Sequence, residues 1–135
     1  MPARARLAVF AAPFFAETTV RFVRAAAGLP GVRLAVLSQD PLDRMPSDLR
    51  RAIAAHQRIP DALDATAIAD AVAELASVAG RPVDRLVGAL EQLQVPLAQV
   101  RERLGIDGMG VEAALNFRDK SRMKDVLRAA GVPCA

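Results

Sequence analysis

Three six-residue runs, Arg6–Ala11 (RLAVFA), Val32–Leu37 (VRLAVL) and Arg85–Leu90 (RLVGAL), carry no polar residue beyond their first two positions. A strand with one face in water alternates apolar and polar side chains. A run without that alternation is buried on both faces, as in a parallel sheet covered by helices. Between the runs the apolar spacing changes to the helical period. In Ala16–Ala27, Val20, Val23 and Ala27 share a side, with Phe22 and Ala26 beside them, and Gly28 and Pro30 mark the end. A helix opening at Asp64 or Thr66 and closing before Gly80 places Ile68, Val72, Leu75 and Ala79 on one face. Shorter signals predict a helix capped by Ser47 and running through Ala55, a third strand at His56–Ile59, and a helix at Leu97–Leu104 stopped by Gly105. The expectation is an α/β, three-layer, Rossmann-like domain with a parallel sheet of about four strands and a C-terminal helical extension.

Composition narrows the function. The 135-residue chain is 53% hydrophobic, which excludes a disordered chain, yet it has five Phe and no Trp or Tyr. Base-stacking platforms for single-stranded nucleic acid need aromatics, so that class is disfavoured. The net charge of +3 is unevenly spread. Residues 1–60 hold nine basic and four acidic groups, residues 61–117 four and nine, and residues 118–135 five and two. The acidic middle argues against a duplex-binding face, and no nucleic-acid partner is expected. Cys134 is the single cysteine, so no intrachain disulfide exists and a reducing, cytoplasmic setting is expected. The first apolar run is broken by Pro13 and followed by Glu17, unlike a signal peptide, and no membrane span is expected.

Ligands of open parallel sheets bind beyond the carboxyl ends of the strands, which points to Ala12–Phe15, Ser38–Asp40 and Glu91–Gln94. Within these, Pro13, Phe14, Ser38, Gln39 and Glu91 are the candidates for a substrate cleft. Glu91 could meet a substrate amine or order a loop; a solvated or capping role is the competing reading. The turn AAPFFA after the first strand has no glycine, so a dinucleotide fingerprint is absent, and there is no GxxxxGK[ST] loop. That turn is also apolar where a phosphoacceptor domain would hold a cation, and no metal ligand is assigned. His56, the one histidine, is expected to close a helix rather than to serve a catalytic triad. No catalytic residue is assigned.

After Gly105 the pattern changes. A glycine-bearing loop, Ile106–Gly110 (IDGMG), precedes a short helical piece, Val111–Leu115. Asn116 is then expected to cap a helix Phe117–Ala130, with Asp119 as its capping-box acid and Gly131 as its stop. Asp119, Lys120, Met123, Leu127, Ala130, Gly131, Val132 and Pro133 stand in an arrangement that resembles ATP-grasp ligases, the family of biotin carboxylases, carbamoyl-phosphate synthases and carboxylate–amine ligases. The resemblance covers about thirty residues by motif and the rest by topology alone. It implies a pre-ATP-grasp domain at residues 1–115 and a linking helix at residues 116–135, leading to an ATP-grasp domain in cis.

The resemblance further implies that Lys120 contacts ATP phosphates; Lys124, one turn on and on the same face, could by its spacing extend the patch. A lysine in the first helical turn, where amides and dipole favour an anion, suits that role; two solvated lysines are the plain alternative. The second nucleotide-binding lysine, the metal-binding acidic residues and the lid of the family have no counterpart in the 135 residues. ATP and Mg are therefore expected in a complete enzyme that activates a small carboxylate and joins it to an amine, and the chain alone is expected to be inactive. A homo-oligomer is compatible with this reading. The alternative is a non-catalytic flavodoxin-like or Rossmann-like module binding a small effector or protein partner. A nicotinamide-dependent oxidoreductase is disfavoured by the glycine-free turn.

Overall fold

In the computed structural model, which describes residues 3–135, the first two apolar runs are strands whose successive side chains enter two different cores, whereas the third is a strand only over Arg85–Gly88 and, at the sheet edge, buries Leu86 and leaves Val87 37% exposed. From β1 (Arg6–Ala11), Leu7, Val9 and Ala11 enter one core, whereas Phe10 enters the other. From β2 (Val32–Ser38), Ala35 and Leu37 join the first, and Leu34 and Val36 the second. That period of two, apolar on both sides, is why the sequence showed no alternation. The second core is closed by α1 (Glu17–Ala27) through Val20 and Val23, and by α2 (Ser47–Ala52) through Leu49. The first is closed by α3 (Ala65–Ala79) through Ile68, Val72 and Leu75, and by α4 (Gln94–Leu104) through Leu97 and Val100.

With β3 (Ala55–Arg58) and β4 (Arg85–Gly88), the sheet is four-stranded and wholly parallel, in the order β3-β2-β1-β4. The chain lays down β1, β2 and β3 in one direction, then crosses by α3 to the far side of β1. A right-handed crossover in the opposite direction puts α3 on the other face from α1. The reversal opens a crevice beyond the carboxyl ends of β1 and β4. Gly88 ends β4 where a Cβ would come within 2.9 Å of Leu97 Cδ1 and 3.3 Å of the Ala11 carbonyl, so a larger residue here would push on the Leu97 side chain of α4.

Three local expectations are corrected. Ser47 does not cap α2: it is the first helical residue, Pro46 precedes it, and no side-chain cap bond forms. That helix stops at Ala52 because the Ala54 amide already donates to the Leu34 carbonyl, committing the chain to the sheet. His56 consequently lies in β3 and not at a helix end. Asn116 is inside α5 (Val111–Arg118), and the cap is Asp119, whose carboxylate accepts from the Ser121 and Arg122 amides at the start of α6 (Lys120–Ala129). At the opening of α3, the open choice falls to Asp64, which accepts from the Thr66 and Ala67 amides. Position 115 lies within α5.

Candidate functional site

The strand ends are shaped by a set of side-chain-to-backbone bonds. The Gln39 and Asp40 amides both donate to the Pro13 carbonyl, at 2.8 and 2.9 Å, and the Phe15 amide donates back to Asp40 Oδ2 at 2.9 Å. These reciprocal bonds hold the loop after β1 against the loop after β2. Ser38 is fully buried beneath them. Its Oγ lies 2.6 Å from the Asp40 carbonyl and 2.6 Å from His56 Nε2.

A carbonyl only accepts, so the Ser38 hydroxyl donates to it, and Nε2 must carry the proton that reaches Oγ. A nucleophilic serine needs the reverse polarity, with the imidazole taking its proton. The Ser38–His56 pair therefore fixes the loop and is not a catalytic dyad. Burial pushes the His56 imidazole below its ordinary value. Between the folded value and 6.5 the unfolded chain binds more protons, so stability is full above pH 6.5 and falls as pH drops through that window. Denaturant midpoints between pH 8 and pH 5, compared with His56→Gln, are expected to show a drop in the parent that the variant lacks.

The cleft above this network has two lobes sharing Phe14 and Gln39. One, of about 490 Å³, lies between the ends of β2 and β3 and is lined by Asp40, Arg58, Ile59 and Pro60 besides the shared pair. The other, of about 260 Å³, reaches towards the end of β4 and adds Pro13, Asp61, Ala62, Leu63, Gln92 and Leu93. Of the five cleft candidates, Pro13, Phe14 and Gln39 come together in the lining. Ser38 lies below it. Glu91 turns aside to Arg118, at 2.6 Å.

Arg58 is a lining residue that the strand-end rule passes over when it is applied only after the first, second and fourth strands. Its Nε donates to the Gln39 carbonyl at 2.6 Å. The cue in the sequence is an arginine closing the third strand before Pro60.

The C-terminal helices form a separate arm. α5 packs on α4 and buries Ala114, and α6 packs on α5 and buries no residue. Lys120 and Lys124 are exposed on α6. The amides expected to favour an anion there are taken by Asp119, at 2.9 and 3.2 Å, so Lys120 offers a point charge and not a helix-end pocket. Likewise, Glu102 Oε1 accepts from the Val111 amide at 2.9 Å, which places a carboxylate at the start of α5 after the glycine loop. Among the described residues no group of three or more His, Cys, Asp or Glu side chains could hold a metal ion. These residues do not by themselves fit a complete Mg-ATP site. Among the described residues no helix is long and apolar enough to cross a membrane.

No protein-family model matches the chain. By sequence it is 42% identical over 64 residues to alanine–anticapsin ligase of Bacillus subtilis, a match covering 47% of this chain and 14% of that protein. By structure it superposes on an L-amino acid ligase from Bacillus licheniformis with a TM-score of 0.73 and 18% identity, over 98% of this chain and 32% of the other. A phosphoribosylglycinamide synthetase from Anaerococcus prevotii follows, with a TM-score of 0.61 and 14% identity, over 92% of this chain and 28% of the other. At such identities the structural likeness is one of fold.

Proposed function

We propose that this chain, which is similar in sequence and fold to the N-terminal domains of ATP-grasp ligases, is the substrate-side domain of a ligase that joins a carboxylate to an amine. The observation that carries the reading is the combination of sequence likeness to a ligase with a cleft at the strand ends of the matching fold, lined by both polar and apolar side chains. In the complete cytoplasmic enzyme, Mg-ATP would supply the phosphoryl group that activates the carboxylate. Residues 1–115 would hold part of a small carboxylate or amine substrate. Residues 116–135 would lead to the ATP-grasp domain in cis, which supplies the nucleotide and metal site.

The arm supports this division. Phe117 and Val126 are 58% and 48% exposed beside an apolar groove between α5 and α6, a surface that an adjoining domain would cover. Lys120 would reach a phosphate as a free ammonium, with Lys124 a turn behind it.

The test is to express the whole reading frame that contains this chain and to assay ADP formation with pairs of amino acids as carboxylate and amine. ADP formed together with an amide product, and none from residues 1–135 alone, is the expected result. Turnover by residues 1–135 alone, or none by the whole product with any pair, overturns the proposal. Within an active product, Lys120→Ala is expected to raise the KM for ATP about tenfold, the size of one lost charge-assisted contact. An unchanged KM would return Lys120 to the class of solvated lysines.

A further inference from the structure

We propose that the lobe between the ends of β2 and β3 recognises a carboxylate, held by the terminal nitrogens of Arg58 and the side-chain amide of Gln39. The ligase reading enters only in saying that this carboxylate belongs to a substrate. Arg58 ends β3, and its Nε is fixed on the Gln39 carbonyl at 2.6 Å. That bond uses the inner nitrogen and sets the plane of the guanidinium. Among the described residues its two terminal nitrogens have no hydrogen-bond or ion-pair partner within the chain. Gln39 is fixed in the same way: Oε1 accepts from the Ala62 amide at 2.9 Å, and among the described residues its amide nitrogen has no hydrogen-bond partner.

Both anchored side chains line this lobe. The one carboxylate in its lining, Asp40, is committed to the Phe15 amide at 2.9 Å and faces Arg44 at 3.8 Å. A planar guanidinium with two outward N–H groups matches the two oxygens of a carboxylate, and an anchored fork loses less entropy on binding than a free side chain. Phe14, Ile59 and Pro60 supply apolar walls beside these donors. The fitting ligand is a small organic acid with an apolar substituent. An ammonium group on it would make it an amino acid, and its absence would leave a simple carboxylic acid.

The experiment is a titration of the isotopically labelled 135-residue chain, following the Arg58 Nε–H and Gln39 side-chain amide resonances. The probes are propanoate, L-alanine, L-alaninamide and inorganic phosphate. Saturable shifts at both groups with propanoate or L-alanine, at about millimolar Kd, and none with L-alaninamide support the proposal; L-alanine alone would identify the amino acid, both probes the bare carboxylate. Arg58→Gln should weaken binding at least about tenfold. So should Gln39→Glu, which keeps the acceptor for Ala62 and replaces the free donor with a second carboxylate oxygen.

Intact core amide resonances in both variants exclude misfolding as the cause. Absence of shifts at about 50 mM of any acid, equal binding of L-alaninamide, equal binding of phosphate, or undiminished binding by either variant overturns the proposal. The ligase reading is judged separately on ADP formation, so each can fail without the other.

Discussion

Leu37→Ala is expected to lower the free energy of unfolding by about 2–5 kcal/mol, a large part of the roughly 5–15 kcal/mol that a domain of this size possesses. Leu37 is 1% exposed on β2, which has β1 and β3 as neighbours, and it enters the core closed by α3 and α4. Its carbonyl accepts from the Ala12 amide at 2.8 Å, so the strand around it cannot relax without disturbing the bond that ends β1. The cavity left by the lost side chain would therefore stay largely open, which puts the cost towards the upper part of that range. The residue also directly precedes Ser38, so the same change should loosen the loop that shapes the cleft. Leu63→Ala is the control: at 55% exposure on the cleft rim it should change stability by no more than about 0.5 kcal/mol. Urea denaturation with unchanged slope measures both. A loss below about 1 kcal/mol for Leu37→Ala would mean that the two-core packing is not what holds the sheet.

β1 and β2 are legible because burial on both faces leaves an unbroken apolar run, and α1 and α3 because each has a one-sided stripe; β3, AHQR, carries no such run. The misplaced boundaries share a different cause. Ser47, Asn116 and Asp119 are all residues that can cap, and propensity does not choose among them. At Asn116 the helix runs on: α5 packs on α4, buries Ala114 and continues through Arg118, and the break falls at Asp119, whose carboxylate caps α6. The sequence admits His56 both at the start of a third strand and at a helix end, and the bond of the Ala54 amide to the Leu34 carbonyl decides for the strand. In the cleft, Pro13, Phe14 and Gln39 followed from the strand-end rule alone. Arg58 did not, since its meaning depends on a bond to Gln39 across nineteen residues. Ser38 satisfies the rule by position, but its hydroxyl is spent on Asp40 and His56, an inward orientation that position along the strand does not reveal.

Arg101→Met is expected to release the α5–α6 arm while leaving the sheet intact. Arg101 is half-buried on α4, and burial draws its guanidinium below its ordinary value. Its Nε donates to the Leu86 carbonyl and one terminal nitrogen to the Met109 carbonyl, both at 2.9 Å, tying the glycine loop to β4. Gly108 is shaped by this contact: its φ of +148° is one that L side chains rarely adopt, and a Cβ there would lie 2.8 Å from Arg101 Cδ. Methionine retains most of the apolar stem and removes both donors, leaving the Leu86 carbonyl without this partner. Loss of two bonds from a charged group, one of them partly solvated, should cost about 2–3 kcal/mol. If the arm opens as a unit separate from the sheet, amide exchange at Ala114, Asp119 and Met123 should quicken by about 30- to 150-fold while Val9 and Val36 stay protected. The Glu91–Arg118 pair, with Glu91 73% exposed, is too solvated to hold the arm alone. Equal loss of protection in arm and sheet would show one cooperative unit, and unchanged exchange would show that the Glu102 bond to the Val111 amide suffices. In the ligase reading, the first outcome has a functional counterpart: the arm carries Lys120, so an arm free to move should weaken nucleotide use in the complete enzyme while carboxylate binding at Arg58 persists.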